Sequence, residues 1–476
     1  MLFRILPGFA LAALAMLTAQ VLLSVAGTPS MARAPGGEFI SWVEHLIDDQ
    51  QLGGVAIRGA DGLQMADFDR DGYLDIVSVH EDSDHVRLAF GSKDPAKWFL
   101  VTLAEGKEVP AAEDAAVGDV NLDGYPDIIV ACELAHLIYF QNPGKTARSG
   151  KWPRVILDNT RNRGSYIRVF LADLDNDGRL EAIAANKGEQ LPADVPGEPT
   201  PEALRNKLPI SWFVIPSNPL DGLGWKEHEL IRVVIPINSQ PADLDGDGDM
   251  DVIAGSRGEA RMVILRNEGG KPPRFSPFPV RLDGLPSGAR SPWGFMIAVH
   301  DFNGDRRPDM VVAGAQSAVV WLEQPSSLEQ AWKAHFIGSI QPDTATGITV
   351  ADINSDGKAD VITGGYSQNP RDHDGARIHA GSVAGRIAWF ENPGGIGKPW
   401  TRHDITRAKR GMYDAFLARD MDRDGDVDFV GTRGNSGNFD GVYWIEQVRS
   451  KQPRKAFKRA REKESEPLPL PPAVSK

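Results

Sequence analysis

The sequence contains a single cysteine, Cys132, among 476 residues. One thiol cannot form a disulfide within the chain, so the fold needs other cross-links to hold its loops. Cys132 lies at the end of an apolar run, and we expect it to pack in the interior rather than to act as a nucleophile. No cysteine lies at the boundary of the amino-terminal apolar segment, which argues against a lipoprotein.

Several short motifs with a known chemical role are also missing. The sequence has no nucleophile elbow, no phosphate-binding glycine loop and no zinc-protease helix motif. Basic residues are scattered except near the carboxyl end, and the formal net charge is -13. An acidic surface repels nucleic acid and anionic lipid, so no nucleic-acid partner is predicted.

An acidic motif, in contrast, recurs seven times along the chain. Each copy reads Asp-x-(Asp/Asn)-x-Asp and has another acidic residue four positions further on, as in DFDRDGYLD. The copies begin at Asp67, Asp119, Asp173, Asp243, Asp301, Asp352 and Asp420. A repeat of about 50 to 70 residues is too small to bury a core alone, so the copies must stack or form a ring.

The spacing within each motif suits Ca²⁺, which is the predicted cofactor. A hard cation takes several oxygen ligands, and positions one, three, five and nine of a tight loop can converge on one point. A glycine at position six, such as Gly72, allows the sharp turn. The predicted metal ligands are Asp67, Asp69, Asp71, Asp75, Asp119, Asn121, Asp123, Asp127, Asp173, Asp175, Asp177, Glu181, Asp243, Asp245, Asp247, Asp251, Asp301, Asn303, Asp305, Asp309, Asp352, Asn354, Asp356, Asp360, Asp420, Asp422, Asp424 and Asp428.

These acidic loops differ from EF-hands. An EF-hand loop needs a Glu at position twelve and a helix on each side. Position twelve is never Glu in the seven copies, and the residues after each loop are strand-like, as in residues 127–131 (DIIVA). Each acidic loop is therefore expected to connect two antiparallel strands.

Each repeat contains two further predicted strands. The third has a recognisable sequence, for example RIAWFENPGG in the sixth repeat, and the fourth is built around a tryptophan, as in residues 400–405 (WTRHDI). Four antiparallel strands per repeat are typical of a β-propeller blade. The regular placement of Trp321, Trp389 and Trp444 favours packing between blades over sugar stacking.

The last repeat lacks a fourth strand, because the chain becomes basic and then proline-rich after Glu446. Residues 42–47 (WVEHLI) have the Trp-x-x-His-x-Ile layout of the missing strand. We predict that this amino-terminal strand completes the final blade and closes the ring, which leaves no open sheet edge. The sequence thus predicts an all-β fold, a seven-bladed β-propeller of four-stranded antiparallel blades over residues 39–448.

The acidic loops and the WFENPG-type strand together resemble the FG-GAP/VCBS-like repeat proteins. This resemblance implies a calcium-binding propeller, but it does not fix an activity because propellers host many functions. The Phe-Gly and Gly-Ala-Pro signatures of integrin-type blades are not evident, which argues against an integrin-like role.

Two acidic loops depart from the pattern. The fifth has Arg306 in place of the glycine, with Arg307 beside it, and the two cations predict a weak or empty site. The third ends in Glu181 rather than Asp, and this longer carboxylate is still expected to reach the ion.

The two ends of the chain differ from the repeats. Residues 1–26 have a basic start, a long apolar run and a small-x-small site, which predicts a signal peptide. Cleavage near residue 34 and an uncleaved membrane anchor are the alternatives. Either way the predicted location is secreted or periplasmic, with membrane contact only through such an anchor. Residues 449–476 are basic and then proline-rich, which predicts a disordered tail.

The face opposite the acidic loops is the expected binding surface, since long insertions at residues 186–210 and 364–386 lie there. Asp61, Glu113 and Asp414 each precede the first loop ligand by six residues, so they approach the ring axis and are the candidate catalytic residues. They are either solvated turn residues or a site for a cation or for sugar hydroxyls. Trp293 and Tyr413 are the aromatic residues better placed to face a ligand.

Two histidine pairs on the same face have the composition of transition-metal ligands, although exposed loop histidines are commoner. They are His80 with His85 and His373 with His379.

These patterns favour an exported, calcium-stabilised module that binds an extracytoplasmic protein or carbohydrate and is not an enzyme. The alternative is a sugar-active lyase or dehydratase that uses the axial carboxylates. Its support is family resemblance, because aldos-2-ulose dehydratase and certain rhamnogalacturonan lyases have similar propellers.

Overall fold

The computed structural model describes residues 29–188, 203–285, 291–313, 317–368 and 370–470. Within these residues the chain forms seven sheets, each with at least four strands. The strands of each repeat pair in antiparallel order, and the acidic loop always joins the first strand to the second. The predicted seven-bladed β-propeller is therefore confirmed.

The first four blades are regular. Blade 1 consists of Ala60–Ala66, Asp75–His80, His85–Phe90 and Phe99–Glu105. Blade 2 consists of Ala112–Gly118, Asp127–Cys132, Leu137–Phe140 and Arg154–Ile156. Blade 3 consists of Tyr166–Ala172, Glu181–Asn186, Lys207–Val214 and Lys226–Val234. Blade 4 consists of Pro236–Ala242, Asp251–Ser256, Arg261–Asn267 and Phe275–Pro279.

Two of the remaining blades carry a short fifth strand, which runs parallel to the outermost one. Blade 5 consists of Ile297–His300, Asp309–Ala313, Ala318–Glu323 and Trp332–Ser339, with Leu282–Asp283 outside. Blade 6 consists of Thr344–Ala351, Asp360–Tyr366, Gly385–Glu391 and Thr401–Ala408. Blade 7 consists of Phe416–Arg419, Asp428–Arg433, Gly441–Ser450 and Phe39–Asp49, with Phe457–Lys458 outside. Helical segments are short, namely Gln50–Gly53 and the 3-10 turns Glu81–Ser83, Gly106–Glu108, Gly144–Ser149, Asp158–Thr160 and Gly437–Phe439.

The amino-terminal strand Phe39–Asp49 closes the ring as predicted. It pairs antiparallel with Gly441–Ser450, the third strand of blade 7, so that His45 lies opposite Trp444. Ile47 then packs with Leu63 and Ile76 of blade 1. The two ends of the repeat region are thus joined by a sheet rather than by a loop.

The hydrophobic core is divided among the blade interfaces. One cluster of buried apolar side chains lies at each of the seven interfaces, for example Val77 with Ile128 between blades 1 and 2. Each blade therefore packs on both of its faces. This explains why a second strand such as Asp127–Cys132 is buried at every residue and reads as a continuous apolar run. Cys132 lies in this strand, and burial raises the pKa of its thiol.

A histidine from the fourth strand stacks on a tryptophan from the third. His45 lies over Trp444 with ring centroids 4.3 Å apart. The equivalent centroid distances are 4.4 Å for Trp212 with His228, 4.5 Å for Trp321 with His335 and 4.3 Å for Trp389 with His403. These tryptophans are buried, which confirms that they pack within the propeller.

Residues 449–470 are not a disordered tail, so that prediction is wrong for this segment. Phe457–Lys458 pairs with the amino-terminal strand. Arg433 of blade 7 pairs with Glu464 at 3.1 Å, and Arg461 pairs with Asp49. Composition predicted a solvated tail because it does not reveal which propeller residues will lie beside the tail and pair with its charges. Residues 471–476 and the predicted signal peptide lie outside the described residues, and among the residues described no helix is long and apolar enough to cross a membrane.

Candidate functional site

The acidic loops all fold in the same way. In the first loop, Asp67 Oδ1 accepts the N–H of Asp71 at 3.0 Å and Oδ2 accepts the N–H of Gly72 at 2.9 Å. Gly72 has φ of 90°, a conformation that favours glycine. The position-one carboxylate accepts the N–H of position six in the other six loops as well. The sequence motif therefore specifies the turn through hydrogen bonds between its own carboxylate and backbone N–H groups.

The carboxylate at position nine connects the loop to the body of its blade. Asp75 accepts the N–H of Phe68 and the N–H of Gly91, both at 2.8 Å. Burial raises the pKa of Asp75 to about 7, although these two hydrogen bonds lower it. The other position-nine residues also accept loop or third-strand N–H groups, namely Asp127, Glu181, Asp251, Asp309, Asp360 and Asp428.

Carboxylate oxygens converge within several loops. In four of them three oxygens lie within 4.8 Å of one another, and these are Asp67, Asp69 and Asp71, then Asp173, Asp175 and Glu181, then Asp243, Asp245 and Asp251, and finally Asp420, Asp422 and Asp428. Loops two, five and six have Asn at position three, which offers an amide oxygen instead. This all-oxygen donor set fits a hard cation such as Ca²⁺. Glu181 reaches its cluster, as expected for the longer side chain.

Basic side chains contact the first, third, fifth, sixth and seventh loops. In the fifth, Arg307 pairs with Asp305, while Arg306 adopts φ of 69° and donates its N–H to Asp301 as a glycine would. Lys358 contacts Asp356 in the sixth loop at 2.5 Å.

In the first loop, Arg148 pairs with Asp69 and lies 2.8 Å from Asp71. The sequence did not indicate this contact, because Arg148 belongs to the next repeat. Crowding by cations is thus not confined to the fifth loop.

An amide near the end of the third strand ties each of four blades to the acidic loop of the preceding blade. Asn142 Nδ2 donates to the carbonyl of Phe68 at 2.9 Å. Asn267, Gln324 and Gln447 make the equivalent bonds to the carbonyls of Leu174, Leu244 and Ile353 at 2.8, 2.6 and 2.9 Å. The sequence did not predict this role. The recurrence of an amide residue at the end of the third strand, such as Asn142 in FQNPG and Gln324 in WLEQP, was the signal that could have indicated it.

The three candidate catalytic residues come together at the opposite end of the first strands. Asp61, Glu113 and Asp414 are 5%, 7% and 7% exposed. The first strands of blades 1 and 2 each have a β-bulge, one at Asp61 and the other at Glu113. A bulge changes the direction of the side chain at that position. Glu81 joins them from the end of the second strand, and oxygens of Asp61, Glu81 and Glu113 lie within 4.8 Å of one another. We call Asp61, Glu81, Glu113 and Asp414 the axial cluster.

Electrostatics distinguish the axial cluster from ordinary turn residues. Burial, together with the charges of Glu113, Glu81 and Asp414, raises the pKa of Asp61 well above its usual range. Burial and the nearby Glu81 raise the pKa of Glu113 to about 8. Burial also raises the pKa of Asp414, and its Oδ1 accepts the hydroxyl of Thr346.

The position of the axial acids is apolar in three of the other four blades. The residue six before the first loop ligand is Ile167 in blade 3, Ile237 in blade 4 and Phe295 in blade 5. These three form one cluster with Trp293, whose ring lies 6.2 Å from that of Phe295. The axis therefore has an acidic side and an apolar, aromatic side. Arg168 lies between them, 3.6 Å from Asp114 and 4.7 Å from the Phe295 ring.

The remaining candidates are not assembled into a site. His80 and His85 pair across one hairpin, and burial lowers the pKa of His80 to about 3. No cluster of three or more potential metal ligands in the described part of the chain includes a histidine. Tyr413 is buried against Tyr443, so the expectation that it faces a ligand is wrong, whereas Trp293 is partly exposed.

Sequence comparison identifies the repeat. A profile of FG-GAP-like repeats matches residues 67–130, 119–184, 243–312 and 301–363. Each match begins at the first Asp of one acidic loop and ends in the strand that follows the next loop, and together the matches span about half of the chain. The chain belongs to the FG-GAP-like repeat family. Each profile match to this FG-GAP-like protein therefore covers the segment from one acidic loop to the next, which is the unit that the propeller repeats.

Solved structures are similar to the FG-GAP-like protein in fold alone. YCF48 from Cyanidioschyzon merolae superposes with a TM-score of 0.50 at 9% identity, covering 85% of this chain and 98% of that chain. BBS1N in complex with ARL6DN gives a TM-score of 0.47 at 10% identity over 89% and 100%. The core factor of S. cerevisiae gives 0.47 at 12% identity over 91% and 64%. No curated protein sequence matches the chain.

Proposed function

We propose that this FG-GAP-like protein is an exported, calcium-stabilised propeller that binds a protein or a glycan with the face opposite the acidic loops. It acts as a binding module rather than as an enzyme. The acidic loops are scaffold in this proposal, and the axial cluster is the centre of the binding face.

The observation that carries the proposal is the burial of Asp61, Glu113 and Asp414 at positions where the fold does not need an acid. Blades 3 and 4 place Ile167 and Ile237 at the equivalent position, so an apolar residue can fill it. Burying a carboxylate costs free energy unless a partner compensates for the lost hydration. Asp61, Glu113 and Asp414 are therefore best explained by a ligand that interacts with them.

The surroundings favour a glycan as that ligand. Carboxylates accept hydrogen bonds from sugar hydroxyls, and an exposed aromatic ring can pack on the apolar face of a sugar. Trp293 and Phe295 lie on the apolar side of the axis, with Arg168 between them and the acids. A protein ligand would use the same face through a basic side chain.

Calcium would act as a cross-link in the acidic loops. The carboxylates at positions one, three, five and nine would hold the ion, joining the first strand to the second in each blade. An ion at a free concentration of 100 times its Kd adds about 2.7 kcal/mol of stability per site. Removal of Ca²⁺ by a chelator should lower the melting temperature markedly, and an unchanged transition would contradict structural calcium.

The enzymatic alternative is supported by the raised pKa of Glu113, about 8, which keeps a carboxylic acid protonated near neutral pH. Such an acid can donate a proton to a leaving group in sugar lyase or dehydratase chemistry. The test below therefore measures both glycan binding and the formation of a reaction product.

The test is a glycan panel that includes uronic-acid polymers, probed with calcium-loaded protein. We expect D61N and D414N to weaken binding at least tenfold while retaining the wild-type melting transition. E268Q is the control, since Glu268 is exposed and lies after the third strand of blade 4. Equal binding by D61N and the wild type would exclude the axial cluster as the binding centre, and turnover that D61N abolishes would favour the enzyme.

A further inference from the structure

The axial cluster combines acids from three blades around one point. Asp61 and Glu81 come from blade 1 and Glu113 from blade 2, and their oxygens lie within 4.8 Å of one another. Asp414 approaches from the start of blade 7 and lies within hydrogen-bonding reach of Asp61. Three buried carboxylates and the half-buried carboxylate of Glu81 therefore share a small volume.

Three basic side chains lie close enough to attract members of the axial cluster, but each of them forms its ion pair with a different acid. Lys187 pairs with Glu133, Arg168 lies 3.6 Å from Asp114 and Arg371 lies 3.0 Å from Asp82. None of the ion pairs between described residues includes a member of the axial cluster. These three basic side chains are thus paired with acids outside the cluster.

One oxygen at the centre has no protein partner. Asp61 is 5% exposed, and its Oδ2 is buried without a hydrogen bond from any described group. A buried carboxylate oxygen without a donor is rare in folded proteins, because it loses its hydration and gains nothing in return. An unpartnered oxygen that faces two other carboxylates indicates a missing positive ligand.

We propose that the axial cluster binds a hard divalent cation of the Ca²⁺ or Mn²⁺ class, held by Asp61, Glu81 and Glu113. Two oxygen ligands of one such ion, each about 2.3–2.6 Å from it, lie at most about 5 Å apart. The observed separations fit this limit without movement of the backbone. Asp414 lies beside Asp61 and adds to the negative charge around the ion.

This site does not depend on the acidic loops; it shares Asp61 and Glu113 with the proposed glycan site, but its test uses no glycan. Its ligands come from the end of the blades opposite the acidic loops, and they are brought together by the contact between blades 1 and 2 rather than by one loop motif. Three protein ligands leave several coordination positions for water or for oxygens of a bound molecule. The ion would thus be accessible from the binding face, whereas loop ions are fully committed to the scaffold.

Crystals of the protein grown with Mn²⁺ near pH 7.5 provide the test, because anomalous scattering locates each ion. We expect a peak between Asp61, Glu81 and Glu113 in the wild type that is absent from E81Q. D82N is the matched control, since Asp82 lies beside Glu81 in the same turn but pairs with Arg371. It loses the same charge and should keep the peak.

Bound Mn²⁺ per chain, measured after dialysis, should fall by one ion in E81Q and remain unchanged in D82N. With a chelator present, E81Q should melt no lower than the wild type, because removing one of four like charges relieves repulsion. Peaks in the acidic loops without one at the axis would overturn the axial site. An axial peak without loop peaks would support it and would refute calcium in the loops, so the two proposals fail separately.

Discussion

Replacement of Asn142 by alanine tests whether the amide after the third strand holds neighbouring blades together. Asn142 is 1% exposed and donates to the carbonyl of Phe68 in blade 1 and to that of Pro126 in its own blade, both at 2.9 Å. Its Oδ1 also accepts the N–H of Gly144 at 2.9 Å. The alanine variant loses all three hydrogen bonds.

Asn392 provides the matched control. It occupies the same place after the third strand of blade 6, and it bonds the carbonyl of Ala359 at 3.0 Å and the N–H of Gly394 at 2.9 Å. Both of these partners belong to its own blade. The difference between N142A and N392A therefore isolates the bond between blades.

The expected difference follows from the carbonyl of Phe68, a residue that is fully buried. Leaving a buried acceptor without its donor costs about 1–3 kcal/mol. N142A should therefore destabilise the protein by about 1–3 kcal/mol more than N392A. The measurement is urea unfolding at fixed Ca²⁺, followed by tryptophan fluorescence, with the slope required to be the same in both variants. Equal midpoints for the two variants would refute the inter-blade role.

Three further predictions concern other parts of the molecule. R306G should raise stability by about 1 kcal/mol, because Arg306 has φ of 69°, where a Cβ is unfavourable, and the midpoint of urea unfolding reports it. Deletion of residues 457–476 should lower the unfolding midpoint, since it removes the pairs of Arg433 with Glu464 and of Arg461 with Asp49, and no change would restore the interpretation of a disordered tail. Burial raises the pKa of Asp440 to about 6, so this group contributes stability that is present below its unfolded pKa of about 4 and is lost as the pH rises through about 6. D440N should remove that part of the pH dependence, and a pH profile parallel to the wild type would contradict the shift.

Much of the fold could be predicted because the sequence repeats it seven times. One acidic loop such as the one at Asp67 is ambiguous, but seven at similar spacing, each followed by strand-like residues, specify a blade. The partner strand for blade 7 was predictable because His45 repeats a pattern that places a histidine on a tryptophan.

The axial acids were predictable for the same reason, since counting six residues back from the loop keeps the register of the first strand. Asp61 and Glu113 therefore fell at equivalent places. Glu81 could not be predicted in this way, because it follows the second strand, where the repeats do not align residue by residue.

Contacts between neighbouring repeats could not be predicted from the repeat pattern. Asn142 and Arg148 act on blade 1 although they belong to blade 2, and their partners depend on how the blades are rotated against each other. The tail segment is a similar case. Its basic composition is typical of a disordered chain, and only the position of acids such as Asp49 on blade 7 makes it fold back.

The division of the axis explains how acids can be buried there without weakening the ring. Each blade interface has its own apolar cluster, so the stability of the propeller does not depend on the residues at the axis. Blades 3, 4 and 5 nevertheless use Ile167, Ile237 and Phe295 there, which adds apolar burial. Blades 7, 1 and 2 give up that gain and bury carboxylates instead, close to the point where the amino-terminal strand closes the ring. Because the sheet of blade 7 joins both ends of the repeat region, this seam has the cross-strand pairing needed to hold these acids close to one another.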